Sequence, residues 1–188
     1  MAALLIIDMQ IDFCKGGALG IDDGAEVIPF INQLRQSRHY DMIVITQDWH
    51  PPHHCSFASR YNKQPFTPYG DHDYLWPDHC VQDTPGAQLH PDLVVEKTDV
   101  RIRKGTKVDL DAYSCFGGTK LAQFLREHHI KTCDIVGLAF DFCVRYSAID
   151  ARREGFEVRV FREGSRPVDK DAVDIVIKEL TELGVRVE

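Results

Sequence analysis

Short continuous apolar runs, separated by stretches with helical periodicity, constrain the fold of this chain more than any other feature. The first run is Leu-Leu-Ile-Ile at 4–7, and it stops at a carboxylate, Asp8. Apolar runs of this length without polar alternation are typical of strands buried on both faces of a parallel sheet. We predict strands at 3–7, 42–46, 93–95, 134–138 and 158–161, and a short last one at 185–187.

Amphipathic stretches connect these strands. In 22–37, for example, Ala25, Ile28, Ile31 and Leu34 follow one another at a spacing of three. Similar patterns at 118–129, 141–154 and 168–183 predict three further helices. Alternation of strands and helices predicts an α/β fold: a three-layer, open, mostly parallel sheet with helices on both faces, Rossmann-like, in a single domain covering 1–188.

Charge and cysteine content restrict the partners and the compartment. A net charge of −7 without basic runs argues against nucleic acid and against an anionic membrane surface. No apolar run approaches the ~20 residues of a membrane span, and 2–7 lacks the basic flank of a signal peptide. The six cysteines form no C-x-x-C pair, which argues against a zinc knuckle, and we expect reduced thiols in a cytoplasmic protein.

One stretch, 47–92, departs from the strand–helix pattern. It is rich in proline, aromatic residues and histidine, and a loop of this length in a compact domain usually serves function. We predict that it forms a metal and substrate loop region. We expect His53 and His72 to take no part in it. The histidines of the stretch are His50, His53, His54, His72 and His79.

Three residues that follow predicted strands suit nucleophilic catalysis. Cys143 opens a predicted helix, where unsatisfied N–H groups should lower the pKa of the thiol and could hold an oxyanion. Asp8 is the candidate proton acceptor, and Lys104 would stabilise the developing negative charge. The alternative is that Cys143 only packs, Asp8 caps a loop and Lys104 is a solvated charge.

A second set suits a divalent metal. Asp48 and His50 project to one side of an extended segment, and His79 would complete a site of two imidazoles and one carboxylate. Such a site suits Zn²⁺, Fe²⁺ or Mn²⁺ with open positions for water or substrate. His54 and Ser56 are the candidates for a further ligand.

Several segments, in this order, resemble one known family. They are 4–14, 46–51 with 56–57, 76–82 with 84–86, 104–106 with 111–114, and 136–144. Over roughly 4–168 the chain resembles the nicotinamidases, within the isochorismatase-like cysteine hydrolases. The resemblance implies an isochorismatase-like fold.

The family's functional residues are carried over by position. The resemblance implies a nucleophile at Cys143, a base and acid at Asp8, and a supporting Lys104. It implies metal ligands at Asp48, His50 and His79, with zinc preferred over iron or manganese. It places ring-binding walls at Phe13, Trp76 and Tyr113. It also implies a cis bond between Leu138 and Ala139, and an oxyanion hole formed by the N–H groups of Ala139 and Cys143.

The resemblance implies hydrolysis of nicotinamide to nicotinate and ammonia through a cysteine thioester, in NAD salvage. It allows a homo-oligomer, since family members occur in several oligomeric states. Two alternatives stay open: an amidohydrolase acting on a carbamoyl or ureido compound, which would not need the metal residues, and a non-catalytic protein that binds metal or nicotinamide. A dinucleotide site at the glycines of 16–20 is disfavoured, because that segment does not join a strand directly to a helix.

Overall fold

The fold is built on a parallel β-sheet. The computed structural model describes residues 1–70 and 74–188, and within them six strands pair in the order β3-β2-β1-β4-β5-β6, with every neighbouring pair parallel. This arrangement confirms the predicted fold class. The strands are β1 (Ala2–Ile7), β2 (Met42–Asp48), β3 (Val100–Lys104), β4 (Thr132–Leu138), β5 (Glu157–Arg166) and β6 (Arg186–Val187).

In the part of the chain that the structure describes, four helices cover the two faces of the sheet, as predicted, but each is shorter than its amphipathic stretch. Residues of α1 pack in one hydrophobic cluster, and residues of α2, α3 and α4 pack in another on the opposite face. Tight turns account for much of the shortening, with a 3-10 turn before α1 and α4 and a π turn before α3. The helices are α1 (Ile28–Ser37), α2 (Leu121–Glu127), α3 (Arg145–Arg153) and α4 (Val173–Glu182).

The central strand β1 explains why the apolar runs are continuous. Leu4 and Ile6 contribute to the cluster that contains α1, whereas Leu5 and Ile7 contribute to the opposite cluster. All four side chains are fully buried. Because successive side chains of a strand point to opposite faces, a strand covered by helices on both sides needs apolar residues at every position.

The predicted strand at 93–95 is wrong. Val94 is bound by α1 side chains instead: its N–H donates to Asn32 Oδ1 (2.9 Å) and its carbonyl accepts from Arg35 Nη1 (2.6 Å). The third strand is β3, five residues downstream of that stretch, at the edge of the sheet. It alternates half-buried Val100 and Ile102 with exposed arginines. An edge strand partly open to solvent does not show the continuous apolar run on which the prediction depended.

The long connection between β2 and β3 contains most of the predicted loop region. Its described part includes two short 3-10 turns, at Ala58–Tyr61 and Pro85–Ala87. His72 lies outside the described residues. Among the described residues, no helix combines the length and the apolar character needed to cross a bilayer.

The strand order places one crevice at the carboxyl edge of the sheet. On one side of β1 lie β2 and then β3, and on the other side lie β4, β5 and β6, so the chain crosses from one side of β1 to the other between β3 and β4. Ligands of open α/β sheets bind at the point where the order reverses. Here the end of β1 leads into Asp8, and the end of β4 leads into the turn that carries Cys143.

Gly137 in β4 permits the close approach of β1 that this crevice needs. Its φ is 115°, and a Cβ there would lie 2.0 Å from the backbone oxygen of Ile7. We expect Gly137→Ala to lower the free energy of unfolding by about 3–5 kcal/mol, measured by urea denaturation. Gly155→Ala is the matched control, because Gly155 has a φ of 90° but open space around it, and should cost about 1–2 kcal/mol. Equal losses would contradict the clash with Ile7.

Candidate active site

Three of the predicted residues meet at the carboxyl edge of the sheet, after β1, at the end of β3 and after β4. Lys104 Nζ lies 3.0 Å from Asp8 Oδ2 and 3.4 Å from Cys143 Sγ. The Asp8 carboxylate and the Cys143 thiol lie within 4.8 Å of each other. Asp8 is fully buried, Lys104 is 1% exposed and Cys143 is 6% exposed. The structure therefore brings a thiol, a carboxylate and an ammonium into mutual contact, shielded from solvent.

Asp8 is held in place by the end of β2. Thr46 Oγ1 donates to Asp8 Oδ1 (2.6 Å) and accepts from the Asp8 N–H (3.1 Å). Asp8 has a φ of 46°, so the chain leaves the direction of β1 at this residue. Thr46 occurs in one of the segments that carried the resemblance, but its contact with Asp8 is visible only in the folded chain.

Burial and charge set the protonation of this cluster. Burial raises the pKa of Asp8 above its ordinary value, and the Lys104 ammonium offsets this only in part. Although burial opposes its charge, Asp48 and Asp8 raise the pKa of Lys104 well above its ordinary value. Lys104 is therefore a permanent buried cation between two carboxylates.

The expected lowering of the thiol pKa is not found. Burial raises the pKa of Cys143 well above its ordinary value; Lys104 opposes this effect, and the nearby carboxylates add to it. Cys143 also lies in the π turn Phe140–Val144, which precedes α3, rather than in the first turn of a regular α-helix. A thiol in this environment needs a neighbouring base to become a nucleophile. The carboxylates of Asp8 and Asp48 both lie within 4.8 Å of it, and Asp8 is the stronger base, because its pKa is raised whereas that of Asp48 is lowered.

The predicted metal residues form a second cluster that adjoins the first. Asp48 Oδ2 lies 3.5 Å from His50 Nε2 and 3.9 Å from His79 Nε2, and all three side chains are buried. Asp48 Oδ1 meets Lys104 Nζ at 2.5 Å. Burial acts to raise the pKa of Asp48, but the Lys104 ammonium and the His50 imidazole outweigh it and hold that pKa far below its ordinary value. Asp48 thus joins the two clusters.

The chemistry of this donor set fits a divalent cation. His50 Nδ1 lies 3.0 Å from the Gly105 carbonyl and His79 Nδ1 lies 2.7 Å from the Pro77 carbonyl. Carbonyls that accept from Nδ1 leave Nε2, the nitrogen that faces Asp48, as the atom available to a cation, which is the orientation that metal-bound histidines show. The separations resemble the roughly 3.4 Å between ligand atoms of a tetrahedral zinc site. Burial lowers the pKa of His79 to about 4, which favours the neutral form that a ligand needs. Although burial opposes its charge, the Asp48 carboxylate raises the pKa of His50 above its ordinary value, so His50 would release a proton when a cation binds.

The candidates for a further ligand lie next to this set. His54 Nδ1 is 2.8 Å from Ser56 Oγ, and His54 Nε2 is 3.2 Å from the Leu110 carbonyl. The His54 ring packs on the His50 ring with centroids 4.1 Å apart. Both nitrogens of His54 thus have protein partners, so a role for His54 or Ser56 as a ligand stays a prediction. His53 is exposed.

A small pocket opens beside Cys143, and its walls include the three predicted aromatic residues. Trp76 Nε1 donates to Tyr113 Oη (2.9 Å), and the Phe13 ring lies 5.6 Å from the His79 ring. Asp48, His79, Ala139 and Cys143 also line the pocket, so both clusters border one space. The sequence did not predict three further wall residues, Leu19, Phe142 and Val168.

Phe142 and Val168 differ in whether the sequence carries a signal for their place in the pocket wall. Phe142 directly precedes Cys143 and packs edge-on against Trp76, with ring centroids 5.0 Å apart, so its position beside the thiol was a usable signal. Val168 follows β5, and its N–H and that of Asp169 donate to the Asp141 carboxylate (2.9 and 2.8 Å). No local sequence pattern indicates that contact.

The turn between β4 and α3 carries the predicted oxyanion groups. The peptide bond between Leu138 and Ala139 is cis, as the resemblance implied. The Ala139 carbonyl accepts hydrogen bonds from the N–H groups of Phe142 (3.2 Å) and Val144 (3.0 Å). Both Ala139 and Cys143 border the pocket.

A parallel α/β sheet with a buried thiol, carboxylate and ammonium at its switch point is the arrangement of a cysteine hydrolase. A family model described as the isochorismatase domain matches residues 2–188. The chain belongs to the isochorismatase family.

Within this family, the chain is similar to proteins named nicotinamidase or pyrazinamidase. The nicotinamidase of Acinetobacter baylyi is 44% identical over 178 residues, which cover 89% of this chain and 82% of the relative. The nicotinamidase of Escherichia coli is 41% identical over 180 residues, covering 89% and 84%. The crystal structure of the Pyrococcus horikoshii pyrazinamidase in complex with zinc superposes with a TM-score of 0.88 at 36% identity, covering 100% of this chain and 98% of that one.

Proposed function

We propose that this protein is a metal-dependent nicotinamidase, which hydrolyses nicotinamide to nicotinate and ammonia through a thioester on Cys143. The observation that carries the proposal is the shared pocket: the Cys143 cluster and the metal-binding set border the same small space. Two curated relatives above 40% identity are named nicotinamidases. A neutral amide of this size needs no net charge on the protein surface, so the overall charge of −7 is no obstacle.

In the first half of the reaction, Asp8 accepts the proton of the Cys143 thiol. The thiolate attacks the amide carbon, and the carbonyl oxygen becomes an oxyanion. N–H groups of Ala139 and Cys143 are the proposed donors to this oxyanion. Asp8 then returns the proton to the nitrogen, the C–N bond breaks, and ammonia leaves. Loss of one such donor typically costs about 10²–10³ in rate.

In the second half, water releases the product. The nicotinoyl group is bound to Cys143 as a thioester. A water molecule attacks the carbonyl carbon of this thioester, and Asp8 accepts a proton from the water. The carbon–sulfur bond breaks, Cys143 recovers its proton from Asp8, and the product leaves as nicotinic acid, which ionises to nicotinate and a proton in water. Lys104 supports both halves, because its ammonium lies within 3.4 Å of Cys143 Sγ and 3.0 Å of Asp8.

Asp48, His50 and His79 would hold the divalent cation. When bound, the cation would supply a Lewis acid for the ring nitrogen of the substrate. Zinc is the preferred metal, since two imidazoles and one carboxylate suit it and the Pyrococcus relative is described in complex with zinc; iron and manganese suit the same ligands. Phe13, Trp76 and Tyr113 would enclose the aromatic ring.

The alternatives from the sequence explain less of the site. An amidohydrolase acting on a carbamoyl or ureido compound would leave the buried imidazoles of His50 and His79 without a role. A non-catalytic binder of metal or nicotinamide would leave the contacts among Asp8, Lys104 and Cys143 without one.

An ammonia-release assay tests the proposal. With nicotinamide as substrate, we expect turnover that a chelator removes and that added Zn²⁺, Fe²⁺ or Mn²⁺ restores, because the cation would hold the ring beside Cys143. Carbamoyl and ureido compounds are the control substrates. Chelator-resistant hydrolysis of a ureido compound, with none of nicotinamide, would favour the first alternative. Absence of turnover on every compound with the metal bound would favour the non-catalytic one.

The proposal also covers the compartment, the pathway and the domain organisation of the enzyme. We place it in the cytoplasm, in NAD salvage, as a single domain over 1–188 with its metal and substrate loop region at 47–92. Six free cysteines, all buried, suit a reducing compartment, and the family model spans nearly the whole chain. Nucleic acid and membrane are not among the proposed partners, and assembly as a homo-oligomer stays a prediction.

A further inference from the structure

Gln10 lies outside the cluster around Cys143, yet its buried side chain contacts the backbone of Asp48. Gln10 Nε2 donates to the Asp48 carbonyl (2.8 Å), and Gln10 Oε1 accepts from the Asp48 N–H (2.8 Å). Nε2 also donates to the Ala87 carbonyl (2.9 Å). The side chain is fully buried. One amide thus binds the peptide groups on both sides of the Asp48 Cα.

The path of β1 explains why Asp48 needs this partner. The register between β1 and β2 ends at the pair Ile6 and Ile45. Asp8 then turns the chain away with its φ of 46°. Asp48 lies three residues beyond Ile45, the last residue of β2 in this register, so the backbone of β1 does not pair with it. The Gln10 amide, with one donor and one acceptor directed at Asp48, takes the place of a strand backbone there.

Backbone placement at Asp48 controls both clusters. Its Oδ1 meets Lys104 Nζ at 2.5 Å, while its Oδ2 faces the Nε2 atoms of His50 and His79. A short side chain such as aspartate has only two torsions, so a small rotation of its backbone would move both oxygens. Groups that orient a metal ligand in this way typically contribute 10–100-fold to metal affinity.

We propose that Gln10 is a positioning residue for the metal centre, which holds the Asp48 carboxylate where it can bind the cation and Lys104 at the same time. The inference rests on the proposed metal-dependent function. It concerns the geometry of a ligand: the hydrogen bonds of Gln10 reach the backbone of Asp48 and not its carboxylate.

Replacing Gln10 tests this role. Gln10→Met keeps a side chain of similar length but removes the donor and the acceptor. We expect the zinc dissociation constant of the folded protein to rise about 10–100-fold, measured by competition with a zinc indicator. The absorption bands of the cobalt(II)-loaded protein should shift, since the carboxylate changes position. If Gln10→Met does not fold, Gln10→Glu retains an acceptor for the Asp48 N–H, and the same direction is expected.

Gln47 supplies the matched control. It is equally buried, precedes Asp48, and donates to the same Ala87 carbonyl (2.9 Å). Gln47→Met should stay within about threefold of the parent zinc affinity and keep the parent cobalt spectrum. If the two variants behave alike, Gln10 is only a packing residue and the inference is overturned. A parent protein that binds none of these metals would instead overturn the metal centre of the proposed function, and this role with it.

Discussion

Cys143→Ala is expected to lower kcat for nicotinamide by at least about 10⁴-fold, because it removes the thiol that is proposed to form the thioester. The described residues bring only this thiol into the cluster of Asp8 and Lys104 that borders the pocket. Ammonia release at saturating nicotinamide measures the effect. Substrate binding should persist, since the pocket walls and the metal set are unchanged.

Cys133→Ala is the matched control for this loss. Cys133 is a fully buried thiol in β4, the strand that leads to Cys143, but it packs within the hydrophobic core. Its removal should leave kcat close to that of the parent protein and reduce stability only. Turnover by Cys143→Ala within tenfold of the parent would assign the nucleophile to another group.

His50→Ala should produce the second large effect, a loss of bound metal together with most of the activity. The two remaining residues of the set would bind a divalent cation far more weakly, because each missing ligand removes both a bond and part of the enclosure. Elemental analysis of the purified protein measures the stoichiometry directly. Activity should return only in part with excess metal.

His53→Ala is the control for His50→Ala. His53 lies three residues further along the same segment, but it is exposed, whereas His50 is buried. This variant should retain the parent metal content and activity. An unchanged metal content in His50→Ala would remove His50 from the site. His54→Ala, measured alongside, decides whether His54 contributes a further ligand.

Both predictions depend on Asp48, which connects the two clusters electrostatically. Asp8, Asp48 and Lys104 form a buried set with one net negative charge when both carboxylates are ionised. Burial of a net charge is costly unless it is compensated. A divalent cation on the neighbouring set would reverse the sign of this charge and favour a thiolate at Cys143. The metal therefore has a second role in the proposal, as a counter-charge for the catalytic cluster.

Several elements could be predicted from sequence because their signals are local. The apolar run of β1 requires burial on both faces, and the structure supplies a helical layer on each side. Asp8 and Cys143 follow buried strands, and parallel strands end at one edge, so their convergence could be expected before any coordinates. The strand predicted at 93–95 is wrong because the true third strand carries no such local signal. This strand, β3, lies at the edge of the sheet, exposes Arg101 and Arg103, and lacks a continuous apolar run.

The sequence by itself determined the fold class, the candidate residues and, through ordered motifs, the family that they resemble. Only the tertiary structure decided the environment of each group. Burial reversed the expected effect on the pKa of Cys143, and the turn of the chain at Asp8 gave Gln10 its contact with Asp48. Periodicity records which face of an element is apolar. Desolvation, and contacts between residues far apart in the chain, arise only when the elements pack.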